Sequence, residues 1–238
     1  MRSAQPGTKA QAETSRALGY TCHISSYLFC AIGRREEGAA RMNVREELEA
    51  RLDLGGALVN DVEVDGGSVK VVMINEVVPP DPSDDFYSGP ESEYAKSAAD
   101  FFERADAAFS SPTDALASGI YLTNAIKWPK EETAVPKELV ERSIPVLEAE
   151  LALFPRVEVV MLMGDVAKKC FNAICKKRGG RNAVPSGSTY KLRSSEITYD
   201  GKRVMPSYIM TGGNIQIEKS KVQMITEDIA EVIRLIGA

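Results

Sequence analysis

Ser68-Val69-Lys70-Val71-Val72-Met73-Ile74-Asn75-Glu76-Val77-Val78-Pro79-Pro80 opens the ordered pattern of this chain. The run Val69 to Ile74 reads as a strand buried on both faces, and it ends in an amide, a carboxylate and two prolines. Strand and helix patterns alternate from there. A helix is expected around Ser92 to Phe109, a strand over Gly119 to Ile126, and a helix near Pro136 to Phe154 that Pro145 should kink or split. Val157 to Met163 is a further apolar strand, stopped by Gly164, and Asp165 to Lys177 reads as the next helix. Glu196 to Tyr199 and Arg203 to Met205 flank an Asp-Gly turn and suggest a hairpin or bent strand; a last helix runs from about Glu218 to Ile236. Strands linked by crossover helices imply a parallel sheet within a three-layer α/β domain.

Upstream of this block the texture changes. Residues 1–41 mix small and polar residues without a sustained period, which predicts a disordered tail, with the domain spanning residues 42–238. Met42 opens a helix signal, with Asn43 as cap, Glu46 completing a capping box, and Val44, Leu48 and Leu52 near helical spacing. Translation from Met42 is one expectation of that change.

The 238 residues, 44% apolar, suit one globular core. No apolar run reaches the roughly 18 residues of a membrane span, and Tyr20 to Gly33 is interrupted by His23, Ser25 and Ser26. The expectation is a cytoplasmic monomer without membrane contact. Four cysteines, Cys22, Cys30, Cys170 and Cys175, have neither disulfide-scaffold density nor zinc-knuckle spacing, so reduced structural thiols are expected. A net charge of -5 argues against coating nucleic acid non-specifically. Between Val166 and Ser195, however, eight basic residues, Lys191 and Arg193 among them, stand without an acidic one. That run reads either as a local nucleic-acid patch or as a solvated helix end.

Ligands of open parallel sheets bind beyond the carboxyl ends of the strands. Three exits carry polar groups: Asn75-Glu76 leading through Asp84 and Asp85 to Phe86-Tyr87-Ser88-Gly89; Thr123-Asn124-Ala125-Ile126-Lys127-Trp128; and Pro206-Ser207-Tyr208-Ile209-Met210-Thr211. In order and placement these resemble the signature segments of the uracil-DNA glycosylase superfamily, most closely its iron-sulfur type: Gly-Glu-Ala-Pro-Gly, Pro-Phe-Val-Gly, Thr-Asn-x-x-Lys-Cys and Pro-Thr-Tyr-His-Pro. Leu162-Met163-Gly164-Asp165-Val166-Ala167 is similar to the family's Leu-Gly-x-x-Ala turn. The resemblance covers roughly Val69 to Thr211.

It implies a three-layer α/β/α fold around a mostly parallel four-stranded sheet, and hydrolysis of the N-glycosidic bond of uracil or another deaminated base in damaged DNA. Such a reaction takes a base out of the stack, holds it on an aromatic face and reads its hydrogen-bonding edge. Phe86 or Tyr87 would supply the face, and Asn124, whose amide presents both a donor and an acceptor, would read the base. Glu76, with Asn75 before it, is the catalytic candidate, stabilising the sugar cation or positioning water. Ser207 and Tyr208 are substrate-binding candidates, and Lys191, Arg193 and the helix start after Gly164 would hold phosphates.

Each has a structural alternative: strand-end polar residues for Asn75 and Glu76, core aromatics for Phe86 and Tyr87, a turn cap for Asn124, a loop residue for Ser207. The chain also departs from the family pattern. Asn75 replaces the glycine before the glutamate, Trp128 stands at the family's cysteine, and Ile209, or Met205 in a second register, stands at its histidine. No iron-sulfur centre, metal or organic cofactor is expected. The missing imidazole keeps a catalytically silent base- or nucleic-acid-binding protein as the alternative.

Overall fold

The computed structural model describes residues 41–132, 134–212 and 217–237; the expectations for the tail and for a start at Met42 fall on residues outside these. β1 (Met42–Asn43) pairs antiparallel with β2 (Glu63–Val64), and between them lies α1 (Val44–Glu49), capped by Asn43, whose Oδ1 accepts from the Glu46 amide at 3.2 Å. The capping signal was legible because it is local.

The main sheet is built from β3 (Val71–Val77), β4 (Ile120–Ile126), β5 (Val159–Met163), β6 (Ile197–Tyr199) and β7 (Lys202–Ser207), in the order β4-β3-β5-β7-β6. Four of these strands are mutually parallel, as expected. The structure adds a fifth, β6, antiparallel to β7 across a tight turn. Asp200 and Gly201 both adopt positive φ (50° and 74°), the two-residue geometry that an Asp-Gly pair favours in a hairpin. Packed around the sheet are α2 (Glu93–Arg104), α3 (Pro112–Ala117), α4 (Lys137–Leu151), α5 (Asp165–Gly179), the single turn α6 (Thr189–Leu192) and α7 (Lys219–Ile236).

The near-continuous apolar character of the strands follows from burial on both faces. Along β3, Val72 and Ile74 join Tyr121, Val160, Leu162 and Val204 in the cluster under α4 and α5. Val71 and Met73 join Leu122, Met161 and Met205 in the cluster under α2 and α7. This is the α/β/α sandwich implied by the resemblance. Among the described residues no helix is long and apolar enough to cross a membrane.

Pro145 does not split the chain's middle helix: α4 runs unbroken from Lys137 to Leu151. A helical proline costs roughly 3 kcal/mol. Here it is outweighed by tertiary anchors on both sides, Val140 before it and Val146, Leu147 and Glu150 after it, all buried. Glu150 forms an ion pair with Lys127 at 2.5 Å; their side chains are 0% and 1% exposed. The Lys127 ammonium also donates to the Thr123 hydroxyl (2.8 Å), while Glu150 Oε1 accepts from Tyr121 (2.7 Å) and Thr123 (2.9 Å).

β4 is an edge strand, and side chains close its outer edge. The Leu122 amide donates to the Tyr87 hydroxyl at 2.9 Å, and the Leu122 carbonyl accepts from Asn60 Nδ2 at 2.8 Å.

Removing either partner of the Lys127–Glu150 pair strands a buried charge, so Lys127→Met and Glu150→Gln are each expected to lower unfolding free energy by about 3–5 kcal/mol in urea titrations. The double variant should cost less than the sum of the two, because neither charge is then left alone.

Candidate functional site at the strand ends

Parallel pairing sets Asn75 of β3 beside Asn124 of β4 in register, which brings their amides together. Asn75 Nδ2 donates to Asn124 Oδ1 at 3.1 Å and to the Thr211 hydroxyl at 2.9 Å. Asn124 Nδ2 donates in turn to Asp85 Oδ1 at 2.9 Å, which also accepts from the Phe86 amide at 2.8 Å. Asn75, Asn124 and Thr211 are all buried. Tyr94, near this network, donates to the Val77 carbonyl at 3.0 Å. Phe86, also buried, lies against the Tyr94 ring with centroids 5.3 Å apart.

Asp85, Thr211 and Tyr94 were not singled out by sequence. Asp85 did lie in the segment leading to Phe86, but its importance comes from Asn124, 39 residues away. Burial pushes the Asp85 carboxyl above the ordinary aspartate range, against the opposing pull of its bonds from the Phe86 amide and Asn124.

Glu76 leaves the same strand towards the other face. Its Oε1 accepts from the Val166 amide at 2.9 Å, in the first turn of α5. Gly164, at φ +105°, is the residue that permits this: a Cβ there would stand 2.3 Å from Glu76 Oε1 and 2.6 Å from Ile209 Cγ2. The α5 start expected to take phosphate therefore already holds a carboxylate. Ile209 reaches this point beside Glu76, whereas Met205 is buried within β7. Neither Ile209 nor Met205 carries a group that donates a strong hydrogen bond.

Other candidates are committed to structural contacts. Tyr87 closes the β4 edge and stacks on Tyr121 (5.9 Å, 16° between rings), and burial drives its phenol well above the usual range. Ser207, 1% exposed, donates to Asp228 Oδ2 at 2.6 Å, and its carbonyl accepts from the Gly164 amide at 2.9 Å. Arg193 pairs with Asp228 at 2.8 Å and Glu227 at 3.0 Å and donates to the Met224 carbonyl. Desolvation raises the Asp228 carboxyl, opposed by Arg193 and Ser207. Tyr208 is half-buried, with the Lys221 ammonium 5.7 Å from its ring centroid. Lys191 is exposed and has no carboxylate partner among the described residues.

Trp128 is stacked under the Arg142 guanidinium at 3.9 Å. Cys170 and Cys175 are buried along α5, their thiols pushed up to about 12 and about 11 by desolvation. These described side chains do not fit the four-thiolate set of an iron-sulfur centre. No group of three or more His, Cys, Asp or Glu residues is arranged to hold a metal among the described residues.

The family model described as the uracil DNA glycosylase superfamily matches residues 80–224, more than half of the chain. No curated protein matches it.

An Asp85→Asn exchange keeps an acceptor for Phe86 and Asn124 while removing the cost of burying a charge. A raised carboxyl stabilises the fold most at low pH and loses that contribution as pH rises through its folded value. Asp85→Asn is therefore expected to raise Tm at pH 8, by about 2–4 °C per kcal/mol relieved, and to leave it nearly unchanged near pH 3. Thermal unfolding at the two pH values checks this.

Proposed function

This chain belongs to the uracil DNA glycosylase superfamily, and from that premise we propose that its DNA glycosylase-like domain hydrolyses the N-glycosidic bond of uracil or another deaminated base in DNA. The observation that carries the reading is the position of Glu76. Its carboxylate is fixed by the Val166 amide and packed against Gly164, one residue from Asn75 and its partner Asn124. Consecutive Cα atoms are about 3.8 Å apart. A carboxylate on one side of the strand end and buried amides on the other would address the two halves of a nucleotide, sugar and base.

Bond cleavage leaves positive character on the sugar and negative charge on the departing base. Glu76 is assigned to the first, as electrostatic stabiliser and as acceptor that orients the attacking water. Phe86 is assigned to the base face in preference to Tyr87, whose ring and hydroxyl are engaged by Tyr121 and Leu122. With an alkyl group at Ile209, stabilisation of the leaving base falls to Asn75 and Asn124. A base-binding protein without turnover is the second reading, favoured by that same isoleucine.

Incubation with single-stranded and duplex oligonucleotides carrying one uracil, followed by alkaline cleavage, tests both. Base release that falls by about 10²–10⁴-fold in Glu76→Gln supports the first reading. Retention without release supports the second, and undiminished release by Glu76→Gln removes Glu76 from the mechanism.

Among the basic residues, Lys191 is the one proposed to meet phosphate, since Arg193 already serves Asp228 and Glu227. Lys191→Glu is expected to lower the salt dependence of DNA binding without loss of stability. Arg193→Glu would crowd three carboxylates and should lower Tm instead. Binding isotherms at several salt concentrations and thermal unfolding separate the two effects.

A further inference from the structure

Two stretches of opposite charge leave neighbouring strands of the sheet. From Val71 to Ala95, across the exit of β3, there are six acidic residues and no basic one; from Val166 to Ser195, beyond β5, there are eight basic residues and no acidic one. β3 and β5 pair in parallel, so both stretches leave the same end of the sheet. The strand end lies between them. Asp85 of the acidic stretch holds Asn124 beside Asn75, while Glu76 is seated on the Val166 amide at the start of the basic stretch. Lys96, the first cation after the acidic stretch, is taken by Glu91 at 2.7 Å.

The basic wall contains a groove. Asn172 of α5 donates to the Val184 carbonyl at 2.9 Å and accepts from the Val184 amide at 2.8 Å, which clamps the following loop to the helix. Between helix and loop lies a space of about 380 Å³ lined by Asp165, Lys168, Lys169, Asn172, Asn182 and Ser186. It begins at Asp165, next to the Val166 amide that holds Glu76. Lys168 is paired with Asp165 at 2.7 Å and stands 3.5 Å from the Gly187 carbonyl. Lys169 is exposed and has no carboxylate partner among the described residues. The loop runs on to Tyr190, 66% exposed, with Lys191 exposed beside it.

We propose that this wall is a track for single-stranded DNA: the groove takes a phosphate flanking the target nucleotide, with Lys169 as its unpaired cation, and Tyr190 stacks a neighbouring base. A basic groove next to an exposed aromatic ring is the pairing that single strands use, charge for the backbone and a flat face for an unstacked base. The bases of a duplex are already paired and stacked, so only a single strand offers one to Tyr190 without that cost. On the other side of the strand end, Asp81, Asp84, Glu91 and Glu93 repel the phosphates of a second strand. The charge reversal across the site therefore sets the strandedness of its substrate.

This inference rests on the glycosylase reading, and the test separates the two. A labelled oligonucleotide carrying one uracil, single-stranded or annealed to its complement, is titrated by fluorescence anisotropy against the full chain in a Glu76→Gln background, and base release by the parent protein is measured in parallel. The single strand is expected to bind more tightly than the duplex by on the order of tenfold. Tyr190→Ala should weaken the single strand by on the order of tenfold and leave the duplex nearly unchanged, while Tyr190→Phe, which keeps the ring, should retain the preference. Lys169→Gln should lower the salt slope of single-strand binding by about 0.7, the share of one phosphate. Both side chains are exposed, so none of these variants should shift Tm. Glu91→Lys with Glu93→Lys should tighten the duplex and narrow the preference. Equal affinity for the two forms, tighter duplex binding, or a preference that survives Tyr190→Ala overturns the inference, and base release by the parent protein then leaves the glycosylase reading standing. A preference lost in Tyr190→Ala without base release by the parent supports the track and removes the glycosylase reading; no affinity for either form and no release overturn both.

Discussion

A lysine ammonium and a glutamate carboxylate share a dry space between β4 and α4, and much of the molecule is arranged around keeping them satisfied. Lys127 donates its ammonium to Glu150 and Thr123, its amide to Ser143, and accepts at its carbonyl from Leu58. Glu150 accepts from Tyr121 as well, and Tyr121 accepts from Asn60. The pair thus ties the exit of β4 to α4 and to the segment before β3. A buried ion pair is not by itself a strong source of stability. Its effect is one of specificity: with Thr123 pinned on this face, Asn124 is delivered to the opposite one, in register with Asn75.

The same strand geometry divides the labour at the sheet's carboxyl end. Side chains alternate along a strand, so neighbours Asn75 and Glu76 cannot serve one another. Asn75 enters an amide and carboxylate network with Asn124, Asp85 and Thr211; Glu76 closes onto the first turn of α5. Gly164 makes the second arrangement possible, because any side chain would occupy the space of the Glu76 carboxylate and Ile209. In this superfamily member the buried amide network and the Glu76 carboxylate are therefore separated by one peptide unit and by the plane of the sheet.

Several polar residues at the strand exits act as structural closures. Tyr87 supplies the acceptor that the free edge of β4 needs, and Ser207 with Arg193 fastens β7 to α7 through Asp228. Sheet edges and strand termini leave backbone and carboxylate groups that must be paired somewhere, and the nearest hydroxyl or guanidinium is taken for that purpose. The proposed chemistry therefore draws on a smaller set of the candidates: Glu76, Asn75, Asn124 and Phe86.

The amino-acid sequence alone determined the alternation of strands and helices, the parallel sheet, the Asn43 cap and the Asp200-Gly201 turn. Each depends on burial periodicity or on backbone preferences within a few residues. It also located the strand exits and the candidates Glu76, Asn75, Asn124 and Phe86 by their order. The unbroken path of α4 through Pro145, the separate edge strand β6, the capture of Arg193 and Ser207 by Asp228, and the place of Asp85 were decided only by tertiary structure. Each of those outcomes depends on a partner more than a few residues away, and a linear pattern carries no record of which distant group will stand opposite a buried charge or an unpaired hydrogen-bonding atom.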